Sequence, residues 1–268
     1  MRTHPFTVDI AQELLVDLLD RLARTRWPSE IAGSGWRFGA DLNYLRTLLS
    51  YWQHEFDWRA QERRINGFAN FHAEVDDIGL HFIHERGEGP HPIPLLLIHG
   101  WPSSFVEMLE LIPLLTDPAS HGMDGRTSFD VVVPSLPGYG FSDRLAQPGA
   151  PARRNGELLT QLMAGLGYER FAVHAYDIGA SIAGNMALDY PERLIGYHTT
   201  EPFMPRPYPY LGDGARELTD AERTHIAYDQ QWTADEGGYM AIQRTRPQSL
   251  AYGLNDSPVG LAAWIVEK

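Results

Sequence analysis

The chain has 268 residues and a net charge of -13, and 43% of its residues are hydrophobic. A chain of this length buries enough apolar surface for one large core or two modest ones. Its acidic balance argues against nucleic acid and anionic membrane surfaces as partners, because both attract basic patches. The sequence contains no cysteine, which excludes disulfides, thiolate nucleophiles and zinc–thiolate centres.

Two further absences bear on location. No window of the sequence approaches eighteen apolar residues, so we predict no membrane span. The first residues, Met1–Phe6, lack the apolar core of a signal peptide. A cytoplasmic location is therefore the expectation.

Residues 1–70 predict a helical segment rich in aromatic side chains. Apolar residues recur at helical spacing over 9–22, where Thr7 or Asp9 is a candidate cap, and again over 41–55. Four of the chain's seven tryptophans fall in this segment. We predict that it packs around another part of the protein rather than folding alone.

Residues 71–201 predict an α/β core. Alternating apolar and polar residues over Phe71–Val75 and Leu80–His84 indicate a hairpin that turns at Asp77–Gly79. Short apolar runs then alternate with helical patterns, which predicts a mostly parallel, doubly wound sheet with helices on both faces. The predicted strands are 93–98, 129–134, 171–174 and 194–197, and the predicted helices are 103–115, 157–163 and 178–190.

Residues 202–268 predict a different kind of unit. Four prolines and two tyrosines over Pro202–Tyr210 indicate a linker, and the residues from there to Lys268 are helical and polar in pattern. We predict a helical unit that lies over the sheet.

Two loops at the carboxyl ends of predicted strands carry the chemistry. One is His99–Pro102, and the other is Ala175–Gly179. The second has the small-x-nucleophile-x-Gly form of a nucleophile elbow, with Asp177 in the central position. The alternative is that Asp177 is an ordinary helix cap, since aspartate is favoured there.

A carboxylate is already ionised at neutral pH and can attack an alkyl carbon to form an ester. Hydrolysis of that ester passes through an oxyanion, which needs two N–H donors. On this scaffold the donors come from the residue after the nucleophile, Ile178, and from the earlier loop, here Trp101. The N-terminus of the helix after Asp177 also favours the negative charge.

With these two loops, the sequence resembles the microsomal-type epoxide hydrolases and their soluble bacterial relatives, and the resemblance extends over essentially its whole length. The loop His99–Ser104 matches, although the family usually has glycine at the position of Ser103. The other matching segments are Arg26–Pro28, Tyr51–Trp52, Pro134–Ser142, Gly238–Gln243 and Asn255–Lys268.

The resemblance implies an α/β-hydrolase fold with a helical lid and an N-terminal helical wrap. It implies that Asp177 opens the epoxide to a covalent ester and that Tyr239 donates a hydrogen bond to the epoxide oxygen. The ester is then hydrolysed to a vicinal diol. The implied partners are a small-molecule epoxide and water, with no cofactor, no metal, no nucleic acid and no membrane. The oligomeric state stays open.

Catalytic residues of these hydrolases follow the order nucleophile, acid, histidine. Only His198 and His225 follow Asp177, and neither lies in the context that the family's histidine has. We therefore expect that the chain stops within its lid, with the final strands, the acid and the histidine missing. On this expectation an ester formed on Asp177 persists.

Two alternatives remain at this stage. A haloalkane or haloacid dehalogenase uses the same aspartate, although its halide is commonly held by a tryptophan next to the nucleophile, where this chain has Ile178. A non-catalytic hydrolase-like binding protein would account for the missing histidine.

Overall fold

The computed structural model describes residues 1–144, 152–201 and 214–268, which form two compact units. The first unit combines Met1–Asp9 with the described part of Trp58–Met204. The second combines Ile10–Asp57 with the described part of Pro205–Lys268. The linker predicted at Pro202–Tyr210 lies outside the described residues.

The unit boundaries differ from the domains predicted at 1–70, 71–201 and 202–268. Most of the N-terminal segment belongs to the same compact unit as the C-terminal helices. The predicted wrapping of the core by residues 1–70 stays a prediction.

A mixed sheet forms the centre of the first unit. Its strands are β1 (Thr3–Pro5), β2 (Asn70–Val75), β3 (Ile78–Glu85), β4 (Ile93–Ile98), β5 (Phe129–Pro134), β6 (Phe171–Ala175) and β7 (Leu194–Thr199). Among the described residues the strand order is β1-β2-β3-β5-β4-β6-β7. Strands β5, β4, β6 and β7 run parallel, as predicted for a hydrolase core. The hairpin and β1 add antiparallel pairings, so the sheet is more mixed than the sequence indicated.

The predicted bounds of β4 and β5 are confirmed. β4 is a continuous apolar run and β5 is apolar except for Asp130, a pattern typical of strands covered on both faces. Leu96 and Leu97 point to opposite faces and are both fully buried. The first unit also contains the helices α3 (Trp58–Asn66) and α4 (Leu111–Thr116). The helices α5 (Ala152–Gly165) and α6 (Ile178–Asp189) contribute Leu158, Ile182 and other apolar side chains to the core.

Three local predictions were wrong. The hairpin turns at Asp76–Asp77, where both residues have positive φ as a type I′ turn requires. The helix predicted over 103–115 is a 3₁₀ turn, Phe105–Met108, followed by a separate helix α4, Leu111–Thr116. Helix α1 (Gln12–Ala23) begins after Ala11 without a side-chain cap, so neither Thr7 nor Asp9 caps it.

The second unit is helical, as predicted for its C-terminal part. Asp41 caps α2 (Leu42–His54) by accepting the Tyr44 N–H at 2.7 Å. Thr219 and Glu222 form a capping box at the start of α7 (Asp220–Glu236). Its helices are α1, α2 (Leu42–His54), α7 (Asp220–Glu236), α8 (Gly238–Thr245), α9 (Pro247–Asp256) and α10 (Pro258–Val266). Within the described part of the chain, no helix combines the length and apolarity needed to cross a bilayer.

A buried histidine connects two strands of the first unit. His81 on β3 is fully buried, with Nδ1 2.9 Å from the Ser135 hydroxyl and Nε2 3.1 Å from Asn70 Oδ1. Because Oδ1 only accepts, Nε2 carries the proton and Nδ1 accepts from the serine. Burial, with a smaller effect of His72, lowers the pKa of His81 from 6.5 to about 4.

Because the pKa of His81 is lowered, we predict that the folded protein is less stable at acidic pH. Below pH 6.5 the unfolded chain protonates position 81, whereas the folded chain does so only below a pH of about 4. As the pH is lowered from 6.5 to about 4, the free energy of unfolding should therefore fall by about 3 kcal/mol, because each pKa unit contributes about 1.4 kcal/mol. Urea denaturation at intervals across the window measures the decline. The His81→Gln variant should show a shallower decline, and equal slopes would contradict the assignment.

Candidate active site

Asp177 stands on a sharp turn between β6 and α6. Its φ is +52° and its ψ is -130°, a conformation that costs a non-glycine residue energy and that recurs at functional turns. The residue precedes α6, but its side chain makes no capping hydrogen bond to that helix. Its Oδ1 instead accepts the Trp101 N–H at 2.7 Å. The geometry is that of a nucleophile elbow rather than a helix cap.

Two glycines allow the elbow to come this close to the neighbouring loop. A Cβ on Gly100 would lie 2.5 Å from the Asp177 Cβ and 2.6 Å from its Oδ1. A Cβ on Gly179 would lie 2.7 Å from the His99 carbonyl oxygen. Any side chain at either position would force the two segments apart. The glycines therefore bring the main chain at Trp101 within hydrogen-bonding distance of the carboxylate.

His99 fixes the loop that carries this N–H donor. The ring is fully buried, its Nε2 accepts the Leu136 N–H at 3.1 Å, and its Nδ1–H therefore donates to the Gly100 carbonyl at 3.0 Å. Burial lowers the pKa of His99, so the ring stays neutral. Both ring nitrogens are engaged with the main chain, which makes His99 a positioning residue and not a proton carrier.

A polar cluster joins the elbow to the same loop from another side. The Tyr176 hydroxyl donates to a Glu107 carboxylate oxygen and lies 3.1 Å from the Ser103 hydroxyl. Burial and the Glu107 hydrogen bond raise the pKa of Tyr176 to about 12, so the phenol keeps its proton. No pattern in the sequence distinguishes Tyr176 or Glu107 as a site residue.

Removal of the Tyr176 hydroxyl is expected to loosen this connection. The Tyr176→Phe variant should lose about 1 kcal/mol of unfolding free energy, because the hydrogen bond from this half-buried tyrosine to an exposed carboxylate is lost. Urea denaturation measures the loss. Tyr197→Phe is the matched control, since the Tyr197 hydroxyl is 3.5 Å from its acceptor, the Ala180 carbonyl. Equal losses in the two variants would contradict the prediction.

Two further groups lie at the carboxyl ends of β6 and β7. A Glu201 carboxylate oxygen accepts the main-chain N–H of Asp177. His174 and His198 are register partners, and their Nδ1 atoms are 2.7 Å apart. The sequence analysis did not identify Glu201 as a site residue. Its place just after a parallel strand, at the edge where ligands bind, was the available signal.

The predicted site residues fall into both compact units. In the first unit, the Trp101 N–H contacts the Asp177 carboxylate, and Ile178 is the first residue of α6. N–H groups in a first helical turn have no partner within their helix, so the Ile178 N–H fits an oxyanion donor. Tyr239 belongs to the second unit, in the first turn of α8, where the Lys268 Nζ lies 4.8 Å from its ring centre.

Comparison with known proteins agrees with this geometry. Residues 3–108 match the family model described as "Epoxide hydrolase N terminus", and residues 93–257 match "alpha/beta hydrolase fold". The solved structure of the Aspergillus niger epoxide hydrolase superposes with a TM-score of 0.85 at 31% identity, covering 100% of this chain and 69% of that one. The chain belongs to the epoxide hydrolase family.

Other members of the epoxide hydrolase family match with similar coverage. A putative epoxide hydrolase of Stigmatella aurantiaca is 40% identical over 265 residues, which is 98% of this chain and 59% of that protein. Epoxide hydrolase 1 of Oryctolagus cuniculus is 37% identical over 282 residues, or 98% of this chain and 61% of that protein. The chain thus spans about three fifths of the length of these curated family members.

Proposed function

We propose that this protein opens small-molecule epoxides through attack of the Asp177 carboxylate on an epoxide carbon. A carbon–oxygen bond of the ring breaks, an ester forms, and hydrolysis of that ester gives a vicinal diol. The observation that carries the proposal is the strained turn at Asp177, whose Oδ1 accepts the Trp101 N–H. This contact leaves Oδ2 as the attacking oxygen.

Three other residues have proposed roles. The N–H groups of Trp101 and Ile178 stabilise the oxyanion that forms when water attacks the ester. The Tyr239 hydroxyl donates a proton to the oxygen released from the ring, because an alkoxide leaving group needs a donor and a phenol can supply one. The resemblance of Gly238–Gln243 to the family motif supports this role.

The alternatives are less well supported. Family membership does not favour a dehalogenase, and Ile178 has no side-chain N–H to hold a halide. A non-catalytic binding protein would have no need of a strained, non-capping aspartate at the elbow.

Intact-protein mass spectrometry tests the proposal directly. The purified chain is incubated with styrene oxide, quenched over a time course and weighed, and diol is measured in the same samples. We expect a single adduct of the epoxide's mass, mapped to the peptide that contains Asp177, or diol in its place. Parallel incubation with 1-chlorohexane tests for a dehalogenase, which would release chloride. Absence of both adduct and diol would contradict the proposal.

A further inference from the structure

Tyr176 joins the residue that carries the nucleophile to two points of the neighbouring loop. It directly precedes Asp177, and its hydroxyl donates to a Glu107 carboxylate oxygen. The same hydroxyl oxygen lies 3.1 Å from the Ser103 hydroxyl oxygen. Ser103 stands where the family usually has glycine, so the resemblance to the family does not imply this contact. The phenol therefore connects the turn at Asp177 to the loop through side chains of this particular chain.

The loop is anchored in the core on both sides of the stretch that carries the N–H donor. His99 precedes that stretch and is fully buried. Phe105 and Met108 follow it, at the two ends of a 3₁₀ turn, and both are buried. Glu107 belongs to this turn, so buried neighbours hold its main chain although the residue itself is exposed. A hydrogen bond to Glu107 therefore ties Tyr176 to a fixed point.

A single peptide unit determines where the Trp101 N–H points. Its carbonyl, on Gly100, accepts the His99 Nδ1–H at 3.0 Å, and its N–H donates to Asp177 Oδ1 at 2.7 Å. Because a peptide is planar, these two bonds hold opposite edges of the same unit. The bond to Asp177 lasts only while the loop and the turn keep this separation, and Tyr176 joins the same two segments.

The proton of Tyr176 stays on the phenol. Burial and the Glu107 hydrogen bond raise the pKa of Tyr176 to about 12, whereas the Ser103 hydroxyl and the Gly100 main chain act in the opposite direction. All of these groups act on one phenol oxygen. Because the proton is donated to Glu107, the hydroxyl holds the loop and does not supply a proton to a substrate.

The separation of loop and turn matters because the Trp101 N–H selects the oxygen that attacks. With Oδ1 engaged, Oδ2 forms the bond to the epoxide carbon while a carbon–oxygen bond of the ring breaks. If the loop moves away, the carboxylate of Asp177 rotates about its Cβ–Cγ bond and neither oxygen has a fixed direction. A reacting group that is misplaced by about 1 Å loses up to roughly 100-fold in rate.

Resting on the proposed function, we propose that Tyr176 is a positioning residue for formation of the Asp177 ester. Its hydroxyl, with Ser103 and Glu107, keeps the loop against the turn. The Trp101 N–H then stays on Oδ1, and Oδ2 faces the substrate. Tyr176 itself forms no bond to the epoxide and loses no proton, so it acts on the rate at saturating epoxide and not on epoxide binding.

The concentration dependence of epoxide opening separates positioning from binding. The wild type, Tyr176→Phe and the matched control Tyr197→Phe are mixed with styrene oxide at increasing concentrations. Samples quenched early are weighed for adduct and assayed for diol, and the sum gives the maximal rate and the half-saturating concentration. Tyr176→Phe should lower the maximal rate about tenfold and leave the half-saturating concentration unchanged. Tyr197→Phe should match the wild type in both.

Glu107 variants test the same contact from the side of the loop. Glu107 is exposed, so its replacement leaves the core intact even where Tyr176→Phe folds poorly. Glu107→Ala should lower the maximal rate as much as Tyr176→Phe does, and Glu107→Gln, which keeps an oxygen acceptor, should lower it less. The double variant Tyr176→Phe/Glu107→Ala should lose no more than either single variant, because both remove the same bond.

Each outcome decides the question. Equal maximal rates in Tyr176→Phe and Tyr197→Phe overturn the role of Tyr176, while they leave the proposed epoxide opening intact. A raised half-saturating concentration at an unchanged maximal rate would assign Tyr176 to epoxide binding and overturn positioning. Losses that add in the double variant overturn the shared contact with Glu107. A wild type that yields neither adduct nor diol removes the proposed function and this inference together.

Discussion

The Asp177→Asn variant is expected to form no detectable covalent adduct with styrene oxide. An amide oxygen is not a competent nucleophile at neutral pH, whereas a carboxylate is, so the rate of adduct formation should fall at least about 1,000-fold. The substitution preserves shape and leaves an oxygen that accepts the Trp101 N–H, a bond that is 2.7 Å long in this protein. The loss should therefore reflect chemistry and not a displaced loop.

Two measurements test whether the loss is due to the chemistry of Asp177. Asp124→Asn is the matched control, because Asp124 is an exposed residue that forms an ion pair at 3.2 Å with its near neighbour Arg126. It should form the adduct at the wild-type rate. The far-ultraviolet circular dichroism of Asp177→Asn should match the wild type, since the strained turn is retained. An adduct of unchanged yield in Asp177→Asn would exclude Asp177 as the nucleophile.

The parallel half of the sheet could be predicted because its signals are local. Strand β4 is an apolar run, and β5 is apolar except for Asp130. Such short runs bounded by turn residues indicate where a strand begins and ends. Strand β1 has no such signal. Its three residues are all exposed, and it forms only because Thr3 and Pro5 pair with β2, nearly seventy residues away in the sequence. A strand that depends on a distant partner leaves no periodic pattern.

The candidate site also has a part that could be predicted from local sequence and a part that could not. The motif at Ala175–Gly179 predicted the elbow, but residue identity alone could not decide whether Asp177 caps a helix or attacks a substrate. The structure shows that Asp177 does not cap α6, because its carboxylate accepts the Trp101 N–H instead; this contact depends on packing between β4 and β6. Glu201 escaped prediction because nothing in its local sequence distinguishes it from the chain's many other acidic residues.

A second large loss of activity is expected where the loop at Gly100 packs against the turn at Asp177. Gly100→Ala is expected to slow adduct formation at least about 100-fold, although alanine adds a single methyl group to a residue that takes no part in the chemistry. The added Cβ would lie 2.5 Å from the Asp177 Cβ and 2.6 Å from Oδ1, which is a steric clash. Either the carboxylate or the Trp101 N–H must move, and a misplacement of about 1 Å costs two orders of magnitude in rate.

The control for this variant is a glycine that lies within the sheet. Gly196→Ala in β7 adds the same methyl group where no atom lies within 4 Å of the new Cβ. It should form the adduct at the wild-type rate. Overpacking in Gly100→Ala should also cost about 1–3 kcal/mol of unfolding free energy, measurable by urea denaturation. If Gly100→Ala matched Gly196→Ala in both rate and stability, the turn at Asp177 could move away from the Gly100 loop without loss of activity. The Trp101 N–H would then have no essential part in orienting the nucleophile.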